Sequence, residues 1–518
     1  MITEKDLEHK TKEELSEIIL TQQQTILENN KTIERLYEQF RLSRYKQFGT
    51  KSEKDTGLPR QLSLFEPAIF NEAKPLENSA EIEAAEEEIT IPEHQRKKRG
   101  RKNLPKDLPR KQQIYDLPED EKTCPCGCEL THIGNEINEQ LEIVPMQVYV
   151  IEHIRKKYAC KQCEETIKQA VMPKQPIAKS IAGPGLLAHT LASKFEDHLP
   201  LYRQERILQR VGIDIPRATL SHWVIKCSQL LSPLTKLLLA QIYDYDVAYA
   251  DESTVQVLKE PGRKAESQSY MWVLGGGPPD KFALFYHYAP TRAHTVVLEL
   301  LRDYEGYLHC DGYSAYEVIA SKKRIKLAGC WYHVRRKFKD AQKVSPEKGL
   351  ATKAIEIIRK LAHIEQQAKD AGLSDEARYQ LRQKESRPII EEFKAWLDKH
   401  IHTVAPKTLI GEAIAYTLNQ WPKLLTFLED GRLEISNNRT ERAIKPFATG
   451  RKNWLFCDSV AGAQAAAIIY SLIQTCRYHN INAFAYLRYV LAHIHECTTN
   501  EQLEALLPFN IKPELILC

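Results

Sequence analysis

No apolar run follows Met1, and the most apolar stretch, Leu230 to Ile242, is broken by Ser232, Pro233 and Lys236. These absences argue against a signal peptide and against a membrane span, which needs about 20 consecutive apolar residues. Net charge is also small. Seventy-three Lys and Arg against 69 Asp and Glu leave +4 over 518 residues, so global charge selects no partner and the local distribution must be read instead. A disulfide framework is missing as well. Of twelve cysteines, five crowd between Cys124 and Cys163, a pattern of metal binding in a reducing compartment. The expectation is a cytoplasmic protein of several domains, with a sizeable buried core.

The N-terminal part divides by composition. Residues 1–48 read as one helix with heptads: Ile19, Ile26, Ile33 and Phe40 at one core position, Leu15, Gln22, Asn29 and Leu36 at the other. That pattern fits a short parallel dimer or an amphipathic helix folded onto its own chain. Residues 49–115 are a charged linker punctuated by prolines. An acidic run, Glu81 to Glu93, precedes a basic arm of Arg96, Lys97, Lys98, Arg99, Arg101 and Lys102. Such an arm favours DNA phosphates by counterion release, and the acidic run can mask it when DNA is absent. In 116–175, Cys124, Cys126 and Cys128 precede a strand-rich segment from Gln140 to Tyr158 and then Cys160 and Cys163. Cysteines two residues apart on tight turns point at one ion, and two such turns make a structural zinc site of four thiolates. Cys160 and Cys163 form one pair, and two of Cys124, Cys126 and Cys128 complete it.

From 180 to 240 the sequence predicts helices over Leu186 to Asp197, Leu201 to Arg210 and Arg217 to Leu230. The last two flank a Gly-containing turn and read either as a helix-turn-helix, with Arg217 near the start of a recognition helix, or as an ordinary helical hairpin.

Residues 241–345 carry the chemistry. Val247 to Ala250 alternates as a strand and is expected to deliver Asp251 to its end; Gly306 to Cys310 repeats the arrangement with Asp311. Between them, Tyr270 to Leu274 and Phe282 to Tyr288 complete a meander across the turn Gly275 to Pro279. Helices over Arg292 to Leu301, Ser314 to Lys322 and Tyr332 to Ala341, and a strand over Ile325 to Ala328, give the order βββ-α-β-α-β-α. That order is the ribonuclease-H-like topology, in which the first and fourth strands are neighbours. Asp251 and Asp311 would then be adjacent although 60 positions apart. Taken alone, each aspartate reads first as a cap for the next element. Cys330 and His333 read as a second zinc half-site or as packing, with Arg335 and Arg336 behind them as a phosphate grip. Residues 346–430 are helical and look inserted. In 431–460, Ser436 or Asn437 would cap a helix that carries Glu441 among Arg442, Lys445, Arg451 and Lys452. Three carboxylates suit two Mg2+ (or Mn2+) ions. Residues 461–518 form a helical tail.

Asp-Glu-Ser-Thr at 251, His-Cys-Asp-Gly-Tyr at 309, Cys-Trp-Tyr-His-Val-Arg-Arg-Lys-Phe at 330 and Ser-Asn-Asn-Arg-Thr-Glu-Arg-Ala-Ile-Lys-Pro at 436 resemble, in this order, the transposases of the insertion sequence 66 family. The resemblance covers nearly the whole chain. It implies a catalytic triad of Asp251, Asp311 and Glu441, and a Cys330 and His333 pair of a kind found in several such transposases. It also implies binding to terminal inverted repeats, metal-dependent strand cleavage and strand transfer, self-association on DNA, companion proteins from the same element, and a place at the bacterial nucleoid. Two other classes fit parts of the chain. One is a non-catalytic DNA-binding protein acting through its zinc ribbon and basic arm; the other is a nuclease that cuts without joining.

Overall fold

The computed structural model describes residues 147–159, 167–322, 324–344 and 349–516, with scattered positions between 11 and 36. Two compact units divide the chain, 66–172 and the remainder. The basic arm at 96–102 and all five clustered cysteines lie outside the described residues.

In the smaller unit, β1 (Lys157–Ala159) and β2 (Ile167–Gln169) form an antiparallel hairpin with Lys157 opposite Gln169. Residues 147–156 have no regular structure, which corrects the strand expected there. Val148, Tyr149, Val150 and Ile151 are exposed. β-branched and aromatic side chains favour a strand only when a neighbour supplies the ladder and a surface to cover.

The larger unit opens with the described helical positions between 16 and 36, where Ile19, Ile26, Ile33 and Leu36 are each at least half exposed. These four side chains are therefore not packed on the chain's own core. Three helices follow: α1 (Pro184–Phe195), α2 (Leu201–Arg210) and α3 (Arg217–Tyr243). Gly212, at φ +80°, makes the turn between α2 and α3. Helix α3 runs past the expected end at Leu230 and through Pro233. Leu220, Val224, Cys227, Leu231, Leu234, Leu238 and Ile242 recur at intervals of three and four on its buried face. An interior proline costs about 3 kcal/mol, whereas each fully buried aliphatic side chain returns roughly 1.5–3 kcal/mol. Burial wins, and the helix continues.

The sheet follows as β3 (Val247–Lys259), β4 (Gln268–Gly276), β5 (Ala283–Ala289), β6 (Gly306–Cys310) and β7 (Ile325–Gly329), in the spatial order β5-β4-β3-β6-β7. The meander is antiparallel, and β6 and β7 run parallel to β3. Helices α4 (His294–Leu300) and α5 (Ser314–Lys322) occupy the crossovers, and α6 (Trp331–Val344) leaves β7. Strand β3 does not end at Asp251, as expected. It runs eight residues further because β4 pairs with it from Ala248 to Gln256. What ends near Asp251 is the neighbour: β6 pairs with β3 only as far as Tyr249 opposite His309. The aspartate thus lies where one side of a continuous strand loses its partner.

Beyond α6 come α7 (Leu350–Asp370), α8 (Asp375–Leu381), a π-helical turn at Arg382–Ser386, α9 (Arg387–Ile401), α10 (Leu409–Asn419) and α11 (Trp421–Leu425). Trp331 anchors α6 to this block. Its ring is fully buried against Phe393, Trp421 and Phe427, and its indole N–H donates to the Leu424 carbonyl at 3.0 Å. Arg382, fully buried, holds the returning chain. Its five N–H donors reach both oxygens of Glu365 and the carbonyls of Phe427, Asp430 and Leu433, each at 2.7–2.8 Å. The chain then enters α12 (Asn438–Trp454), adds β8 (Cys457–Ser459) beside the far end of β3, and closes with α13 (Val460–Tyr478), α14 (Ala483–His493) and α15 (Asn500–Glu504). The tail is no appendage. Ser471 and Thr475 of α13 accept the backbone N–H groups of Tyr286 and Leu284 at 2.8 and 3.1 Å, so helix hydroxyls satisfy the outer edge of the sheet at β5. Among the described residues, no helix is long and apolar enough to cross a membrane.

Candidate active site

Extending the β3–β6 register by two residues puts Asp251 opposite Asp311. Two details set that register. Gly306 opens β6 at φ +127°, where a Cβ would stand 2.4 Å from the Asp246 carbonyl oxygen, and the Tyr307 amide donates to that same oxygen at 2.8 Å. Arg432 then clamps the Asp246 carboxylate, at 2.7 and 2.9 Å, while also holding Asp430.

Asp311 caps as well as faces the site. Its Oδ1 accepts the Tyr313 amide at 2.9 Å, as the plain capping reading of the sequence has it, and its Oδ2 lies 3.9 Å from Arg292. Asp251 likewise accepts the Glu252 amide at 2.8 Å. Successive side chains of a strand leave on opposite faces, and Glu252 is held by Arg292 Nε at 2.7 Å and the Tyr316 hydroxyl at 3.0 Å. Arg292 in turn lies over the Tyr313 ring, 3.8 Å from its centre. Nothing in the sequence marked Glu252 or Arg292, since a charged pair separated by a hairpin and a loop shows no periodicity. Only the position of Glu252 beside Asp251 could have drawn notice.

Glu441 arrives on α12. Asn437 occupies the N-cap position, but its side chain does not cap the helix. The amide instead donates to the Ala250 carbonyl at 2.9 Å and accepts from Thr440 at 3.0 Å. The start of α12 is thus pinned to β3 one residue before Asp251. Burial first, then the charges of Glu252, Glu441 and Asp311, push the Asp251 carboxyl well above the usual carboxylate range. Glu252 is raised too, by burial and Asp311, against the pull of Arg292. Acids that repel one another in a poorly solvated site are relieved by a cation. The donor set of oxygens alone fits a divalent ion of the magnesium class.

Two residues of α6 also meet Glu441. His333 Nδ1 lies 3.8 Å from Oε1 and Arg336 3.6 Å from Oε2. Cys330, immediately before α6, completes a group with His333 and Glu441 whose ligand atoms all lie within 4.8 Å of one another. Among the described residues this is the one group of three that meets that distance, and the acidic triad does not.

The other sequence-predicted basic residues scatter. Arg335 is half-buried on α6; Arg442 is exposed and Lys445 half-buried on α12. Arg451 is tied down, its guanidinium donating to the carbonyl and hydroxyl of Thr254. With Lys452 and Leu455 it lines a groove of about 390 Å³ whose other wall is Thr254, Gln256 and Gln268. Arg217 opens α3, exposed, its amide donating to Glu205 of α2 at 3.0 Å. On α2 itself Arg203, Arg206 and Arg210 line a second groove, a basic stripe that the sequence reading passed over although its i, i+3, i+7 spacing is visible.

Comparison with known proteins adds to this geometry. A family model described as Transposase IS66 family matches residues 179–465. Others match the flanks: zinc-finger binding domain of transposase IS66 over 121–164, Transposase C of IS166 homeodomain over 35–112, and IS66 C-terminal element over 471–509. Similar proteins occur in Sinorhizobium fredii (strain NBRC 101917 / NGR234). Uncharacterized protein y4jD is 35% identical over 431 residues, covering 80% of this chain and 82% of its own. Uncharacterized protein y4qI is 34% identical over 433 residues, covering 81% and 78%. Uncharacterized protein y4hP is 31% identical over 488, covering 90% and 86%.

Proposed function

The chain belongs to the IS66 transposase family, and from that premise we propose that it is a DDE transposase with a ribonuclease-H-like core, which binds terminal inverted repeats, cleaves DNA strands and joins them to a target. The observation that supports this most is the juxtaposition of Asp251 and Asp311 across β3 and β6, with Glu441 close enough to raise the Asp251 carboxyl. These three residues would hold two Mg2+ (or Mn2+) ions. When bound, such ions lower the pKa of an attacking water or 3′ hydroxyl and stabilise the leaving oxygen.

The chain's own groups do the rest. Arg292 takes the charge of Glu252 and leans on Asp311, so that Glu252 supports the site without joining the triad. Arg336 steadies one oxygen of Glu441. Arg442, Lys445 and Lys452, on the helix that carries Glu441, would meet strand phosphates, as would Arg335 on α6. Arg451 acts as a strut from α12 to β3. Arg217 contacts DNA from α3, and the arm Arg96 to Lys102 adds sequence-independent affinity. Within the zinc-finger match at 121–164, Cys160 and Cys163 with two of Cys124, Cys126 and Cys128 hold a structural Zn2+. The chain acts on DNA at the nucleoid as a dimer or higher oligomer, with companion proteins of its element.

The test is strand transfer in vitro, with purified protein, a labelled duplex bearing the element's ends, a supercoiled target and Mg2+ or Mn2+. Asp251→Asn, Asp311→Asn and Glu441→Gln should each lower joined product at least about a hundredfold, on the scale of removing one charge-stabilising group, while DNA binding persists. Cleavage without joining supports a nuclease instead. End binding with no cleavage in any protein, companion proteins included, supports a non-catalytic DNA-binding protein.

A further inference from the structure

The third carboxylate has a second set of neighbours. Cys330, His333 and Glu441 bring a thiol, an imidazole and a carboxylate within 4.8 Å of one another. Two of these atoms have no other use: His333 Nδ1 and Glu441 Oε1 are both buried without a hydrogen-bond partner, facing each other at 3.8 Å. That is too long for a hydrogen bond and near the separation of about 3.5 Å between two ligands on a tetrahedral ion with bonds of about 2.1 Å. Buried orphan polar atoms are rare and call for a cause. The third atom of the group, Cys330 Sγ, belongs to a residue that is buried as well. Glu441 Oε2 remains with Arg336, at 3.6 Å.

We propose that Cys330, His333 and Glu441 form a binding site for a borderline-soft divalent ion of the zinc class, with an open fourth position, and that its occupancy draws Glu441 away from Asp251 and Asp311. A thiolate and an imidazole select zinc over magnesium, whereas the acidic pair selects the reverse. One carboxylate shared by two sites of opposite preference makes them compete. Zinc at this site therefore inhibits magnesium-dependent chemistry. The binding claim stands on the geometry alone; the inhibition rests on the transposase reading.

The experiment uses the full chain, stripped of metal and titrated with Zn2+ alone and with Co2+ alone. Wild type should take up one equivalent more of each metal than Cys330→Ser, His333→Gln or Glu441→Gln, and its Co2+ spectrum should contain thiolate charge-transfer absorption that Cys330→Ser lacks. The zinc-finger cysteines contribute equally to all four proteins and cancel. Three variants guard against one that misfolds. Where strand transfer is measurable, micromolar Zn2+ against millimolar Mg2+ should cut the wild-type rate by about tenfold or more, and should leave Cys330→Ser and His333→Gln within about twofold of their own zinc-free rates. Equal metal uptake by all four proteins overturns the site, whatever the activity. An extra equivalent in wild type with inhibition undiminished in the variants overturns the competition. Absence of strand transfer in every protein bears on the transposase reading and leaves the uptake result standing.

Discussion

Arg382 shows how much one side chain can hold. It is fully buried with all five donors used, two on Glu365 and three on carbonyls of the segment 427–433 that leads back to α12. Removing one partner of a buried ion pair leaves the other charge uncompensated and costs about 3–5 kcal/mol. Arg382→Met should therefore lower the unfolding free energy, measured by urea denaturation, by that amount, and adding Glu365→Leu should recover part of it. A loss under about 1 kcal/mol would mean that water reaches the carbonyls and the carboxylate. His309 is a second buried group on the same return path. Its Nε2 accepts the Glu434 amide at 3.3 Å, its ring stacks on Tyr249, and burial pulls its pKa down to about 3. The sequence placed His309 beside Asp311 but gave no sign that it ties β6 to the approach of α12, because that contact joins residues more than a hundred positions apart.

At the scale of elements, the start of β6 decides where Asp311 stands. Gly306 is required on two counts, its positive φ and the 2.4 Å approach that a Cβ would make to Asp246. Gly306→Ala should destabilise the chain by a few kcal/mol through strain and overpacking. It should also reduce metal-dependent activity, although no carboxylate is touched. Gly185→Ala, where a Cβ meets nothing within 4 Å, is the control and should be neutral in both assays. Equal behaviour of the two variants would show that the β3–β6 register is not what positions Asp311. Strand β6 was legible from its own residues, Gly306 to Cys310, because a short apolar run before Asp-Gly has few other readings. The length of β3 was not, because it depends on β4, and pairing partners leave no mark on the strand they extend. Helix α3 was cut short for a similar reason. Pro233 is a local breaker, and the apolar stripe that overrides it gains its energy only from the core it meets.

For the whole molecule, the sheet order β5-β4-β3-β6-β7 gathers Asp251, Asp311 and Glu441 from three parts of the chain. Asp311 was legible at the end of β6 and Glu441 in the first turn of α12, whereas Asp251 lies inside β3 rather than at its end; the element order was still enough to expect Asp251 beside Asp311. The group around Glu441 was only half legible. Cys330 and His333 stood out by spacing, but their meeting with Glu441 depends on the starts of α6 and α12 coming together, held by Trp331 against the helical block and by Asn437 against β3. Nor did the sequence show that α13 closes the sheet edge, since Ser471 and Thr475 look like ordinary helix residues until β5 lies beside them.

Asp251 and Asp311 are proposed to share bound divalent cations across β3 and β6. Manganese titration of the full chain with an end-bearing duplex, followed by electron paramagnetic resonance, tests it without relying on turnover. Wild type should bind about two equivalents per chain more than Asp251→Asn/Asp311→Asn, neither of which belongs to the Cys330 group. Equal manganese uptake by the two proteins, both folded, would show that the two aspartates hold no shared cation.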